Sequence, residues 1–257
     1  DSFCYKSPKV QTRHGVYYLP NQQEPFTGEN ICVYTNGQYH SQGNILNGNE
    51  DGLWTYWHEN GQKQQEGNFK DGRLDGKITL WYENGQKMLE GNYKDGKQDG
   101  KSTTWHENGQ RQIERKYKEG KMDGKKTWWY RNGQKKEEGN YVNGREEGKW
   151  TGWYENNGQK SFEGNYKDGK RDGKWTFWRE NGQKRDGKNY KDGKRDGTTK
   201  YEYYSNGQIK SEINYKDDKL DGKSTLWHEN GQKEAVNYYK DGELDGKSTL
   251  WHENGQK

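Results

Sequence analysis

Residues 76–100 read Gly-Lys-Ile-Thr-Leu-Trp-Tyr-Glu-Asn-Gly-Gln-Lys-Met-Leu-Glu-Gly-Asn-Tyr-Lys-Asp-Gly-Lys-Gln-Asp-Gly. Residues 78–83 are rich in β-branched and aromatic types, and Asn84-Gly85 follows them. That order predicts a β-hairpin closed by a type I′ turn, which needs positive φ at both central residues. A return strand over about residues 86–94 then runs into Asp95-Gly96-Lys97-Gln98-Asp99-Gly100, a cluster that reverses the chain again.

Nearly everything after residue 36 varies this stretch. Asn-Gly-Gln begins at residues 36, 60, 84, 108, 132, 157, 181, 206, 230 and 254, at spacings of 24 residues with two of 25. One extra residue accompanies Asn156-Asn157 and predicts a longer turn. The other falls in 198–205, where Tyr201-Glu202-Tyr203 replaces Thr-x-Trp and predicts a β-bulge.

Within each first strand Thr and Trp stand two apart, at Thr55/Trp57, Thr79/Trp81, Thr103/Trp105, Thr127/Trp129, Thr151/Trp153, Thr176/Trp178, Thr225/Trp227 and Thr249/Trp251. A period of two places both on one face. The second strand carries its own aromatic column, Phe69, Tyr93, Tyr117, Tyr141, Tyr166, Tyr190, Tyr215 and Tyr239. Like residues of successive hairpins would stack about 10 Å apart, so that ten units would make a ribbon on the order of 90–100 Å long. Glycine before that column, as at Gly67, Gly91, Gly139 and Gly164, is expected to admit a ring or a neighbouring backbone, although Arg115, Lys188, Ile213 and Asn237 stand there in other copies. Asp217-Asp218 replaces one Asp-Gly, which the tolerance of Asp for the left-handed region allows. Strand parity puts Trp54, Trp128, Trp150 and Trp175 opposite the Trp column. Two readings stay open for them, an exposed platform for a sugar or protein partner and a second buried face. Parity across the Asp-Gly connections does not decide whether the Trp and Tyr columns share a face.

Composition alone points the other way: 25% of the 257 residues are apolar and 33% charged, a balance typical of disorder. Twelve Trp and twenty Tyr at fixed spacing overrule it, because repeats accumulate stability by burying aromatic faces against neighbours. The formal charge is +4, from 44 basic and 40 acidic residues finely interleaved, so no strong single-sign field and no nucleic-acid partner is expected. No apolar run approaches a membrane span, and the first residues are not a signal peptide. The missing initiator Met suggests a processed product, and the abundance of Lys, Asn and Tyr beside a single alanine, Ala235, fits an AT-rich genome.

Residues 1–35 read as an atypical terminal cap, with strands at 16–19 and 31–34 around Pro20 and Pro25, and residues 36–257 as the repeat array. Cys4 and Cys32 both lie in the cap. Paired, they would close a loop worth about 3–4 kcal/mol in the chain-entropy model and imply an oxidising compartment; free, they would suit a reduced cytosol. At the other end the chain stops at Trp251-His252-Glu253-Asn254-Gly255-Gln256-Lys257, after a turn and before a return strand. Such an edge invites a strand from another molecule, with the cap as donor, and a contact of this head-to-tail kind builds filaments.

Chemistry is sparse. His58, His106, His228 and His252 share the position after the repeat Trp with Tyr82, Tyr130 and Arg179, which reads as an interchangeable surface column and a poor zinc site; His14 and His40 stand apart. Asp pairs such as Asp71/Asp75, Asp95/Asp99, Asp168/Asp172 and Asp241/Asp245 lie four apart, unlike an EF-hand, and read as turn residues. Glu59, Glu83, Glu107 and Glu229 beside the turns read as a solvated face, since catalysis needs one unequal environment and repetition supplies many equal ones. No nucleophile has a base beside it, so neither catalytic residues nor a cofactor are expected.

Gly-x-x-x-x-Trp-x-x-Asn-Gly-Gln-Lys followed by Glu-Gly-Asn-Tyr-Lys-Asp-Gly-Lys resembles the MORN repeat, in the bacterial variant found in the YwqK-type family labelled as antitoxins. Pro25-Phe26-Thr27-Gly28 looks like the opening repeat of such proteins, so the resemblance covers about residues 15–257. It implies an all-β fold, an elongated single-layer antiparallel β-meander of ten or so 24-residue hairpins. It also implies scaffolding, lipid binding or toxin neutralisation. The function expected is a non-enzymatic scaffold, secreted or surface-exposed and self-associating head to tail. The alternatives are an intracellular protein-binding module of antitoxin type and a membrane lipid or glycan binder using the off-column aromatics.

Overall fold

The computed structural model describes residues 2–3, 9–200 and 202–257. It contains no helix among them and consists of antiparallel strands joined by short turns. Contacts divide the chain into two compact units, residues 1–133 and 134–257.

In the first unit the stretch that opened the reading forms strands Arg73–Trp81 and Lys87–Lys94, paired Ile78↔Gly91, Thr79↔Glu90 and Leu80↔Leu89. The next outgoing strand, Gly100–Trp105, pairs with the same return strand on its far side, Thr103↔Glu90. Asn49–Trp57 with Lys63–Lys70, and Gly100–Trp105 with Arg111–Lys118, repeat the scheme. Gly28–Tyr34 pairs with Tyr39–Leu46 through Asn30↔Gly43 and Cys32↔Ser41, the register of the later hairpins, so the repeat geometry is already present at residue 28. Before it, Gln11–Arg13 and Val16–Tyr18 make a separate two-stranded piece, and Ser2–Phe3 pairs with the outer side of Gly28–Tyr34. Cys4 lies outside the described residues, and so does the expected pairing with Cys32; Cys32 itself is buried.

In the second unit Lys135–Val142, Arg145–Trp153, Lys160–Lys167, Lys170–Trp178 and Lys184–Lys191 form an antiparallel meander of their own. Gly197–Lys200, Ser211–Lys216, Lys219–Trp227, Lys233–Lys240 and Thr249–Leu250 belong to a separate sheet. The bulge expected at 201–203 involves Tyr201, which lies outside the described residues. At Asn156-Asn157 the turn does lengthen: Gly158 N–H reaches back to Tyr154 O, four residues away, where Gly85 N–H reaches Tyr82 O, three away.

The type I′ turn expected at Asn84-Gly85 is not found there. At Glu83-Asn84-Gly85 only Gly85 has positive φ, +79°, so this is not a type I′ turn. Gly85 N–H donates to Tyr82 O (2.9 Å) and Tyr82 N–H to Gln86 O (2.9 Å), a three-residue loop built on a type I turn with a left-handed glycine at its end. The ladder dictates this, because Trp81 pairs with Lys87 and leaves too many residues between for a two-residue turn. The type I′ geometry sits at the opposite end of the hairpins, at Asp95 (φ 50°) and Gly96 (φ 77°), between paired Lys94 and Lys97. Asp217-Asp218 adopts it without glycine, at φ 49° and 70°.

Candidate functional site

Register assigns the columns to faces. On one face each hairpin presents Lys77, Thr79 and Trp81 outgoing and Lys87, Glu90 and Asn92 returning; on the other, Ile78 and Leu80 meet Leu89, Gly91 and Tyr93. The Trp column, Trp57, Trp81, Trp105, Trp129, Trp153, Trp178, Trp227 and Trp251, therefore lies opposite the Tyr column and is half-buried throughout.

The Tyr face is the core. Trp54, Trp150 and Trp175 are 2%, 3% and 1% exposed, which excludes an exposed platform at these three positions. Each indole lies over a glycine of the preceding return strand, Gly43, Gly139 or Gly164, where a methyl would overlap it. Tyrosines of the second column flank them: Tyr141 and Tyr166 ring centroids lie 5.4 and 5.5 Å from that of Trp150, and Tyr166 and Tyr190 5.0 and 6.4 Å from that of Trp175. Burying one such indole is worth roughly 4–6 kcal/mol from area alone. Two of the indoles also place their N–H, Trp54 Nε1 donating to Asn44 O (2.9 Å) and Trp175 Nε1 to Asn165 O (3.0 Å). In a repeat lacking such a Trp the matching carbonyl, Asn92 O, accepts Asp99 N–H instead (2.9 Å). Trp128 belongs to a different column, the one held by Leu80, and is half-buried across from Ile113.

The position after the repeat Trp is not an interchangeable surface column. Tyr34 and Tyr82 Oη donate to Trp57 O (2.7 Å) and Trp105 O (2.8 Å), and Tyr154 and Tyr204 Oη to Trp178 O (2.6 Å) and Trp227 O (2.8 Å). His58 and His228 Nε2 bond Trp81 O (3.1 Å) and Trp251 O (2.9 Å), and Arg179 Nη2 bonds Tyr203 O (2.7 Å). His106 Nε2 lies 3.4 Å from Trp129 O. What these residue types share is a donor at the end of a long side chain, the signal that sequence reading missed; an acceptor carbonyl requires the imidazoles to carry their proton on Nε2. The turns are tied likewise. Asn60 Nδ2 donates to Glu83 O (2.8 Å) and Asn84 Nδ2 to Glu107 O (3.0 Å), while Asn84 Oδ1 accepts Gln86 N–H (3.0 Å). Glu59, Glu83, Glu107 and Glu229 are exposed and serve through these carbonyls.

The Trp face carries the charges. Glu90 accepts from Lys87 (2.7 Å) and Lys77 (3.1 Å), Glu114 lies 2.8 Å from Lys101 and 3.8 Å from Arg111, and Glu163 accepts from Lys160 (2.6 Å) and Lys149 (3.2 Å). Hydrogen bonds from Lys87 and Lys160 are the main reason that the Glu90 and Glu163 carboxyls sit below their ordinary pKa. Lys63 and Lys87 Nζ stand 5.8 and 5.7 Å from the ring centroids of Trp81 and Trp105. Shallow clefts of about 370 Å³ follow, one lined by Lys77, Glu90, Lys101, Trp105, Arg111 and Glu114. This glutamate column, also overlooked in the sequence, recurs at Glu66, Glu90, Glu114, Glu138 and Glu163 and is broken by Gly187. There Lys174 and Lys184 flank a position without a carboxylate, and both are exposed.

One half-buried carboxylate stands outside the pattern. Glu50 accepts from Tyr56 Oη (3.0 Å) and faces Tyr17, and burial pushes its carboxyl up. Burial first, then Glu50, raises both phenols, so the group is a satisfied internal contact under the cap. Among the described residues no three His, Cys, Asp or Glu side chains are grouped to hold a metal ion, and no helix is long and apolar enough to cross a membrane.

No curated protein matches the chain. The family model described as "MORN repeat variant" matches residues 50–71, 74–95, 98–119, 122–143, 197–217 and 220–243, together just over half of the sequence. Its windows run from one Asp-Gly turn to the next, and the unmatched stretch 144–196 holds the same hairpins with Trp150 and Trp175 in the core. By pattern, by geometry and by this match, the chain belongs to the family of MORN repeat variant proteins.

Proposed function

We propose that this MORN repeat protein is a non-catalytic scaffold that associates with further copies of itself through an exposed strand edge, outside the cell or on its surface. The observation that carries this reading is the edge at Thr249–Leu250. That strand pairs with Lys233–Lys240 on one side, and among the described residues no strand pairs with its other side. Leu244 and Leu250 there are 57% and 66% exposed. An unpaired, apolar edge is a template for strand addition, and a non-self-complementary contact propagates instead of closing. The tight repeat-to-repeat bonding supports the non-catalytic part, because aromatic, histidine and carboxylate columns are used between neighbours. The oxidising compartment rests on pairing of Cys4 with Cys32.

Light scattering and electron microscopy of the intact natural protein test this. Concentration-dependent polymers that Leu250→Lys disperses are the expected result. A monodisperse protein at high concentration, including one whose edge is filled by a further strand of its own chain, overturns the reading.

A second reading, capture of an acidic protein partner, is favoured by Lys174 and Lys184 facing Gly187 in place of a glutamate. A partner carboxylate would complete the column there. Gly187→Glu should supply that carboxylate internally and weaken binding of an acidic peptide probe; undiminished binding rejects this reading.

A further inference from the structure

Six copies of one tetrapeptide, Glu-Asn-Gly-Gln, occur at residues 59–62, 83–86, 107–110, 180–183, 229–232 and 253–256. Asn-Gly is the dipeptide most prone to deamidation, because glycine leaves its own nitrogen unobstructed. In that reaction the glycine nitrogen attacks the Asn side-chain carbon Cγ and loses its proton. The Cγ–Nδ2 bond breaks and ammonia leaves, giving a five-membered imide. Water then opens the imide to aspartate or isoaspartate. Identical tetrapeptides have equal local chemistry, so any difference in rate among them comes from the fold.

The fold treats them unequally. Asn60, Asn84, Asn108 and Asn230 each donate Nδ2 to a backbone carbonyl of the next turn, Glu83, Glu107, Arg131 and Glu253, at 2.8, 3.0, 2.9 and 2.8 Å. Their amides are thereby fixed at the leaving nitrogen, and at Oδ1 by the N–H of the Gln two residues on. Asn181 keeps the second bond, Gln183 N–H at 3.0 Å, but its Nδ2 turns back to Gln183 Oε1 at 3.2 Å, an exposed side chain of its own turn. A 25-residue spacing follows Asn181 in place of the usual 24. A neighbouring fact agrees: Gln183 does not lie against Gly207, whereas Gln62 and Gln86 lie against Gly85 and Gly109. The donor-column rung is kept, since Arg179 Nη2 still bonds Tyr203 O. Backbone protection does not differ, since Gly182 N–H donates to Arg179 O at 2.9 Å, as Gly85 N–H does to Tyr82 O at 2.9 Å.

We infer that Asn181 is a site of spontaneous deamidation in this protein, reacting ahead of Asn60, Asn84, Asn108 and Asn230. Each event adds one negative charge, and in the iso form one extra backbone atom, at the junction between residues 179–183 and 204–208.

The test is peptide mapping by mass spectrometry after incubation of the native protein in ¹⁸O water at mildly alkaline pH, with a parallel incubation in concentrated urea. In the native protein Asn181 should gain label about fivefold faster than Asn84 or Asn108, the factor expected for one hydrogen bond of ordinary net strength. In urea the six sites should react alike. Equal native rates, or a lead for Asn181 that persists in urea, overturn the inference. Gln183→Ala supplies a second readout: it should raise the rate at Asn181 and leave Asn84 unchanged, and a uniform rise or no rise counts against the assignment.

Discussion

Gly164 lies directly beneath the indole of Trp175, and a single added methyl there has nowhere to go except into the ring. At Gly91, the matching place three repeats earlier, an added methyl would meet Ser102 Oγ at an ordinary 3.5 Å. Gly164→Ala should therefore destabilise the protein by about 1–3 kcal/mol through overpacking, while Gly91→Ala should stay within about 0.5 kcal/mol, as substitutions away from such features do. Urea denaturation of both variants checks this, and similar losses would show that the glycine is required for some other reason. The contrast also explains why this glycine is dispensable in some copies. Arg115, Lys188, Ile213 and Asn237 come eleven residues before Lys126, Thr199, Ser224 and Ser248 in sequence, whereas the residue eleven before Trp54, Trp150 and Trp175 is glycine. That pairing was legible in the sequence and would have decided that these Trp are core. Parity yields a face and says nothing of depth. The donor column makes a similar point. His106→Tyr should be tolerated and Tyr82→Phe should cost about 1 kcal/mol or more by orphaning Trp105 O, read from the same denaturation curves.

At the scale of the hairpin, the two ends differ in kind. Gly96 holds φ +77° as the second residue of a type I′ turn, so Gly96→Ala should cost about 1–2 kcal/mol, observable as a lowered thermal midpoint. The position of this turn was misread because Asn-Gly and Asp-Gly carry the same conformational preference. The number of residues left between paired strand ends distinguishes them, and that is a property of the ladder. Charges on the Trp face give a pH signature. Glu90 and Glu163 titrate below the ordinary 4.5, chiefly through hydrogen bonds from Lys87 and Lys160. A depressed carboxylate contributes stability in full above its unfolded pKa and loses it as pH falls through the folded value. Acidification from neutrality to below about pH 4 should therefore lower the denaturation midpoint, and Glu90→Gln should remove part of that drop. Glu50 has the opposite sign, since burial raises its carboxyl and protonation relieves the desolvation. Glu50→Gln should accordingly be neutral or stabilising at pH 7, where Glu90→Gln is destabilising; the reverse order in urea titrations would contradict both assignments.

Across the whole molecule, stability is expected to follow the rungs. In the unit of residues 134–257, Asn206 and His228 are tied one repeat onward, whereas Asn181 is not. Hydrogen exchange should therefore be faster at the amides of 203–210 than at those of 227–234, although both segments have the same local turn bonds. Equal protection would mean that side-chain rungs add little to the backbone ladder. Fold class, strand order and repeat phase could all be read from the chain, because period-two aromatics and recurrent turn residues encode them locally. The donor column escaped because its meaning lies in what sits 23 or 24 residues away, and the glutamate column because its cations are gathered by strand register, from the bulged end of its own strand and from the paired strand; residue type alone carries neither signal.

The cross-turn bonds have a last consequence, for how such a chain can change in length. Asn60 meets Glu83 and Asn84 meets Glu107, always the same count ahead. Gain or loss of a whole unit leaves every donor facing an acceptor, so a new copy joined at any Asp-Gly turn arrives already in phase. A single inserted residue can cost such a bond, as at the 25-residue step after Asn181, where the Asn amide turns back to its own turn. The rungs thus act as a length gauge. They leave growth by duplication open and resist the small insertions and deletions that surface turns otherwise absorb.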